Sequence, residues 1–99
     1  MNPTVRQLEY FVAIADHGSF QAAARACFVT QPGLSAQLAQ LENSLDVRLF
    51  ERDRRTVLIT EAGAELLPRA RGILSEVPQE RLATASTAQR ITLYRIHLT

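Results

Sequence analysis

The chain holds 99 residues, enough for one domain that buries roughly 60–65% of its unfolded surface, and its 46% hydrophobic and 21% charged content is that of a globular protein. No apolar run approaches the ~18 residues of a membrane span, and Met1-Asn2-Pro3-Thr4 lacks the basic and apolar stretches of a secretory signal, so a cytoplasmic protein with no membrane attachment is expected. Net charge is only +1, which alone speaks weakly against nucleic acid, and two His with one Cys, set far apart, exclude a metal centre or a nucleophile pair. An enzyme is therefore not expected, and neither is a metal or cofactor.

The first periodic segment, Val5 to Asp16, places Leu8, Phe11, Val12 and Ala15 on one helical face, with Tyr10 and Ile14 beside it. His17-Gly18 ends it with a glycine at the usual stop position. Ser19 can cap a second helix whose apolar face carries Phe20, Ala23, Ala24 and Cys27. That helix packs rather than reaching outward, and Cys27 on its apolar side reads as a packing residue.

Thr30 can cap a third helix starting near Gln31, with Pro32 in the first turn, where a missing N–H does no harm. Leu34, Leu38, Leu41 and Leu45 fall on one narrow stripe, whereas Pro32, Ser35, Ala36, Ala39 and Asn43 project to the other side. No charge occurs between Thr30 and Leu41, although ordinary surface helices cover their wet face with Lys and Glu. Such a bare face lets a helix sit deep in a major groove, where Gln pairs with adenine edges, Ser donates or accepts, and apolar atoms of Pro or Ala touch thymine methyls. The same residues also suit a quiet bundle helix, since Gln and Ala are good helix formers.

After Leu45, Val47 and Leu49 alternate with Arg48, and Val57-Leu58-Ile59 forms a second short apolar run. Between them lies the charged hairpin from Glu51 to Thr56, so a two-stranded wing is expected. All eleven basic residues are Arg, which a GC-rich coding bias also explains, but Arg48, Arg52, Arg54 and Arg55 crowd into eight positions. Arginines there can lie along phosphates or enter a minor groove; a solvated loop pairing them with Glu51 and Asp53 is the alternative.

Thr60 is placed to cap a fourth helix running to about Val77. Leu66, Ala70, Ile73 and Val77, with Leu67 and Leu74 alongside, form a stripe too long for so small a core to cover, which asks for a second copy of the chain. Pro68 predicts a bend near residues 64–68. The expected organisation is a winged helix-turn-helix over residues 1–60, a linker and dimerisation helix over 61–77, and an atypical tail over 78–99. The fold class is mainly α: a three-helix core, a two-stranded wing and a fourth helix.

In this order and spacing the parts resemble the N-terminal DNA-binding domain of LysR-type transcriptional regulators. The resemblance rests on Leu8-Glu9-Tyr10-Phe11, Ser19-Phe20-Gln21-Ala22-Ala23-Ala24, Val29-Thr30-Gln31-Pro32-Gly33-Leu34-Ser35, Leu41-Glu42, Leu49-Phe50-Glu51-Arg52 and Thr60-Glu61-Ala62-Gly63. The opening and two core helices are most similar to the peroxide-sensing branch, whose redox cysteines belong to an effector domain. The resemblance implies that Thr30 contacts phosphate, that Gln31, Pro32 and Ser35 approach base edges, that Arg52 supports the wing and that Arg55 reaches a minor groove.

With Ser19, Gly33, Ala36 and Arg54, these are the candidate DNA-contacting residues. Position 36 is often a base-reading Arg in the family, so Ala36 implies thinner or shape-based readout, and Gly33 loosens the start of the recognition helix. The family also tolerates a proline at the place of Pro68.

Family members carry a C-terminal effector domain that this chain is not expected to contain. The likeness is expected to stop near Val77, leaving a frayed tail with an apolar alternation at Ile91, Leu93, Ile96 and Leu98. The resulting expectation is a homodimer, paired through the fourth helix, that binds inverted-repeat double-stranded DNA without a small-molecule effector of its own. The rival expectation is an interaction module that pairs with a full-length regulator without productive DNA binding.

Overall fold

The structure, a computed structural model, describes residues 3–51 and 56–76. Four helices appear in it: α1 (Val5–His17), α2 (Phe20–Ala26), α3 (Gln31–Leu45) and α4 (Glu61–Ser75). Each begins where a side-chain oxygen satisfies an orphan N–H of the first turn. Thr4, Ser19, Thr30 and Thr60 accept from the N–H groups of Gln7, Ala22, Gly33 and Gly63. At α1 the cap is reciprocal, because Gln7 Oε1 also accepts from the Thr4 N–H at 3.1 Å. Gly18 closes α1 at φ +68°, a left-handed conformation natural to glycine, and donates its N–H to Ile14.

α1 packs against each of the other three helices. Phe11, Val12, Ala13 and Ile14 have no exposed surface, and they meet Ala23 and Cys27 of α2, Leu34, Leu38 and Leu41 of α3, and Leu49 and Phe50 beyond it in one core. The Phe50 ring lies 5.5 Å from that of Phe11 and 5.9 Å, edge-on, from that of Phe20, so one aromatic side chain ties the chain after α3 to both α1 and α2. Among the described residues no helix is long and apolar enough to cross a membrane.

Of the expected two-stranded wing, the described residues hold a short paired base and no strand. Phe50 and Ile59 form an antiparallel bridge, Glu51 donates its N–H to Leu58 at 2.8 Å and Thr60 to Leu49 at 3.0 Å. Arg52, Asp53, Arg54 and Arg55 lie outside the described residues. Two further contacts fasten the base. The buried Glu42 carboxylate accepts from the Leu49 N–H at 2.7 Å, and Gly63 lets α4 approach so closely that a Cβ there would stand 2.4 Å from the Leu49 carbonyl oxygen. Thr60 adds a third link by donating its hydroxyl to Arg48 O.

α4 contains Pro68 and still runs as one helix from Glu61 to Ser75. The carbonyl deprived of its usual partner belongs to the exposed Ala64, and Pro68 is itself exposed, so solvent can take the place of the missing donor. The apolar stripe is also divided. Ala70 and Leu74 are buried in the chain's own core and Leu66 and Leu67 pack half-buried against it, whereas Ile73 is 47% exposed. The core reaches further along α4 than the sequence implied because α1 lies beside it, joined by a two-pronged Arg71–Asp16 ion pair at 2.7 and 3.3 Å. Val77 and the tail expected over 78–99 lie outside the described residues.

Candidate nucleic-acid interface

The helix-turn-helix is built by α2 and α3 with a tight turn between them. Cys27 donates its N–H to Ala23 and Val29 to Ala24, and Phe28 takes φ +57° between them, an uncommon conformation for a bulky residue. The turn reverses the chain in few residues and leaves the start of α3 standing clear of the body.

Thr30 is exposed and its hydroxyl caps Gly33 at 3.1 Å. Gln31, Pro32, Gly33 and Ala36 are exposed and Ser35 is half-buried, while Leu34, Leu38 and Leu41 on the opposite side are fully covered. Gln31 Nε2 donates to the Ser35 hydroxyl at 3.3 Å, so two side chains expected to meet a partner are already held together one turn apart. Ser19 is half-buried, with its hydroxyl spent on the Ala22 N–H at 3.0 Å. Gly33 lies inside the capped first turn, where a Cβ would press on Thr30 Oγ1 at 2.9 Å.

Thr30, Gln31, Pro32, Gly33, Ser35 and Ala36 therefore share one end of α3, with Ser19 at the head of the adjoining helix. Arg52, Arg54 and Arg55 are outside the described residues. The one charged residue of α3, Glu42, is turned inward. What α3 offers outward is a neutral surface of amides, hydroxyls and small apolar groups, able to donate and accept hydrogen bonds at close range without the bulk or charge of Lys or Glu.

Sequence reasoning missed one feature. Gln7, on α1, is buried and donates from Nε2 to Gln37 Oε1 at 3.2 Å and to Gln40 Oε1 at 3.4 Å, both on α3. The Thr4-x-x-Gln7 capping pattern was a visible signal for the amide's role in α1. Its second use, across thirty residues of sequence, had none.

Cys27 is buried at the end of α2. Burial, reinforced by the Glu9 carboxylate and opposed by Arg6, pushes its thiol from 9.0 up to about 11. It is therefore fully protonated at neutral pH and a poor nucleophile.

The family described as bacterial regulatory helix-turn-helix proteins, lysR family, matches residues 5–64. The chain is 51% identical over 73 residues to the DNA-binding transcriptional dual regulator OxyR of Escherichia coli K12, covering 74% of this chain and 24% of that protein. It therefore spans about a quarter of the length of that relative. An uncharacterized HTH-type transcriptional regulator of Azotobacter vinelandii is 44% identical over 94 residues, covering 91% of this chain and 65% of that protein. That coverage carries the likeness past Val77, where it was expected to stop. Among solved structures, the BenM DNA-binding domain in complex with catB site 1 DNA superposes with a TM-score of 0.73 at 36% identity, over 84% of this chain and 99% of that one. The four helices, the short paired base after α3 and the uncharged outward face of α3 thus sit in a known frame, and the chain belongs to the lysR family of bacterial regulatory helix-turn-helix proteins.

Proposed function

We propose that the chain is a sequence-specific DNA-binding domain that acts in transcription regulation, as a dimer on an inverted-repeat site. The observation that carries this reading is the division of α3 into a leucine flank with no exposed surface and an outward face without charge. The buried side fixes the helix to the body, and the other side is free to enter a major groove. The relatives support it: the OxyR of E. coli is by name a DNA-binding transcriptional regulator, and the BenM domain was solved on DNA.

In this reading Thr30 and Ser19, at helix N-termini, meet phosphates, which favour the positive end of the helix dipole. Gln31, Pro32 and Ser35 approach base edges, Gly33 and Ala36 allow close approach, and Arg52, Arg54 and Arg55 follow the backbone or enter a minor groove. Pairing through α4, with Ile73 the exposed apolar residue of its stripe, places two copies of α3 in successive major grooves about 34 Å apart.

The test is selection of bound sites from a random duplex pool, followed by titration of the selected and random duplexes at two salt concentrations. The expected result is an inverted repeat bound at least ~1000-fold more tightly than random sequence. Dimerisation with equal, weak binding of every duplex would favour an interaction module instead.

A further inference from the structure

We infer that Gln7 is a positioning residue that holds Gln37 and Gln40 with their Nε2 groups outward, aimed at phosphate oxygens on the groove wall; this rests on the DNA-binding reading above. The Thr4 backbone N–H can only donate, so the Gln7 atom 3.1 Å from it must be the carbonyl Oε1. That fixes the amide, and its Nε2 must then face α3.

An NH2 group has two hydrogens and no acceptor capacity, and two side chains stand within its reach, Gln37 at 3.2 Å and Gln40 at 3.4 Å. Both therefore present Oε1 to Gln7 and turn their own Nε2 away from it. Gln7 is buried, Gln37 half-buried and Gln40 exposed, so the chain of orientation runs from the inside of the fold outward.

The position of these amides indicates what they meet. At about 100° per residue they lie on the α1 side of the outward face, roughly 60° apart, off the centre occupied by Pro32, Ala36 and Asn43. A recognition helix brings its N-terminal turn, here Gln31 to Ser35, to the base edges, while residues further along its flank meet the sugar-phosphate wall. Reading adenine takes one donor and one acceptor from the same amide. Gln37 and Gln40 turn their carbonyls toward Gln7, so the donor of each faces outward, and a donor alone suits an acceptor such as a phosphate oxygen. Gln31, whose Oε1 is not engaged in the described bonds, keeps both functions.

The experiment uses the full chain in two backgrounds, unaltered and Gln37→Ala/Gln40→Ala, each with and without Gln7→Glu, titrated with a selected duplex and a random one. Glu preserves the α1 cap, since a carboxylate accepts from the Thr4 N–H as well as an amide does, but it cannot donate to α3. It would draw the Nε2 groups of Gln37 and Gln40 inward and turn their carbonyls toward the phosphates. Thermal melting checks that all four chains are folded.

We expect the double alanine variant to lose about 3- to 10-fold affinity per amide on both duplexes alike, with the salt slope unchanged, because a neutral donor displaces no counterion. The Gln7→Glu penalty is expected to be at least about 5-fold larger in the unaltered background than in the double alanine background. Equal penalties in the two backgrounds would mean that the new carboxylate acts by charge alone, and would overturn the inference. A loss confined to the selected duplex would overturn it too, by making the amides base readers. If the unaltered chain bound no duplex, the DNA-binding reading would fail and this inference with it; binding with equal penalties removes the inference alone.

Discussion

Cys27 and Gln31 show how the same few ångströms of burial decide what a side chain does. The Cys27 thiol sits in the core with its pKa pushed up to about 11, so the folded chain holds its proton more tightly than the unfolded chain does. Its contribution to stability is constant below pH 9.0, the ordinary thiol value. It is lost as pH rises from there to about 11, by on the order of 2 kcal/mol. Urea midpoints at about pH 8 and about pH 11 should therefore fall more steeply for the unaltered chain than for Cys27→Ala. Gln31 stands at the other extreme, exposed at the first position of α3. Gln31→Ala is expected to leave stability unchanged within about 0.5 kcal/mol and to erase about 1–3 kcal/mol of discrimination between selected and random duplexes. Both residues were readable from the sequence because helical periodicity assigns a face. Gln7 was not, because its partners on α3 depend on how two helices cross, which no local pattern encodes.

Helices were legible to within a residue or two because caps mark their ends. Thr30 before Gln31-Pro32 and Gly18 after His17 are local signals that the structure uses as written. The wing was less legible, since strand pairing depends on the tertiary environment: among the described residues it is one bridge held by neighbours. One of those neighbours is Glu42, a residue that periodicity places on α3 without revealing that its carboxylate meets the Leu49 N–H. Another is Gly63, whose importance lies in a close approach between elements. Gly63→Ala should cost about 1–3 kcal/mol by forcing α4 away from the Leu49 carbonyl and Ile59. A smaller loss than about 0.5 kcal/mol in urea denaturation would mean that the base of the wing yields easily. Pro68 is accommodated inside α4 for a related reason: the cost of proline is greatest where the orphaned carbonyl is buried, and here it belongs to the exposed Ala64.

At the scale of the whole molecule, the apolar stripe of α4 was read correctly as a stripe but assigned too simply. Leu74 is 3% exposed and Ile73 47%, so adjacent residues serve different ends. Ile73→Asp is expected to leave the fold intact and shift sedimentation from dimer toward monomer. Leu74→Asp should unfold the chain by burying an unpaired charge. Dimerisation unaffected by Ile73→Asp would place the pairing surface elsewhere. The arginines at 52, 54 and 55 lie outside the described residues, but their charge acts at long range. Arg55→Ala should make the plot of log affinity against log salt shallower by about one unit.

Whether the outward face of α3 enters the duplex is read by a backbone and side-chain NMR titration of the isotopically labelled chain with a selected duplex. The largest shifts are expected on Ser19 and on Thr30 to Ala36, with Leu34 moving least among them and Ile73 unaffected. Shifts confined to α1 and α4, with Gln31 and Ser35 unmoved, would show that α3 does not enter.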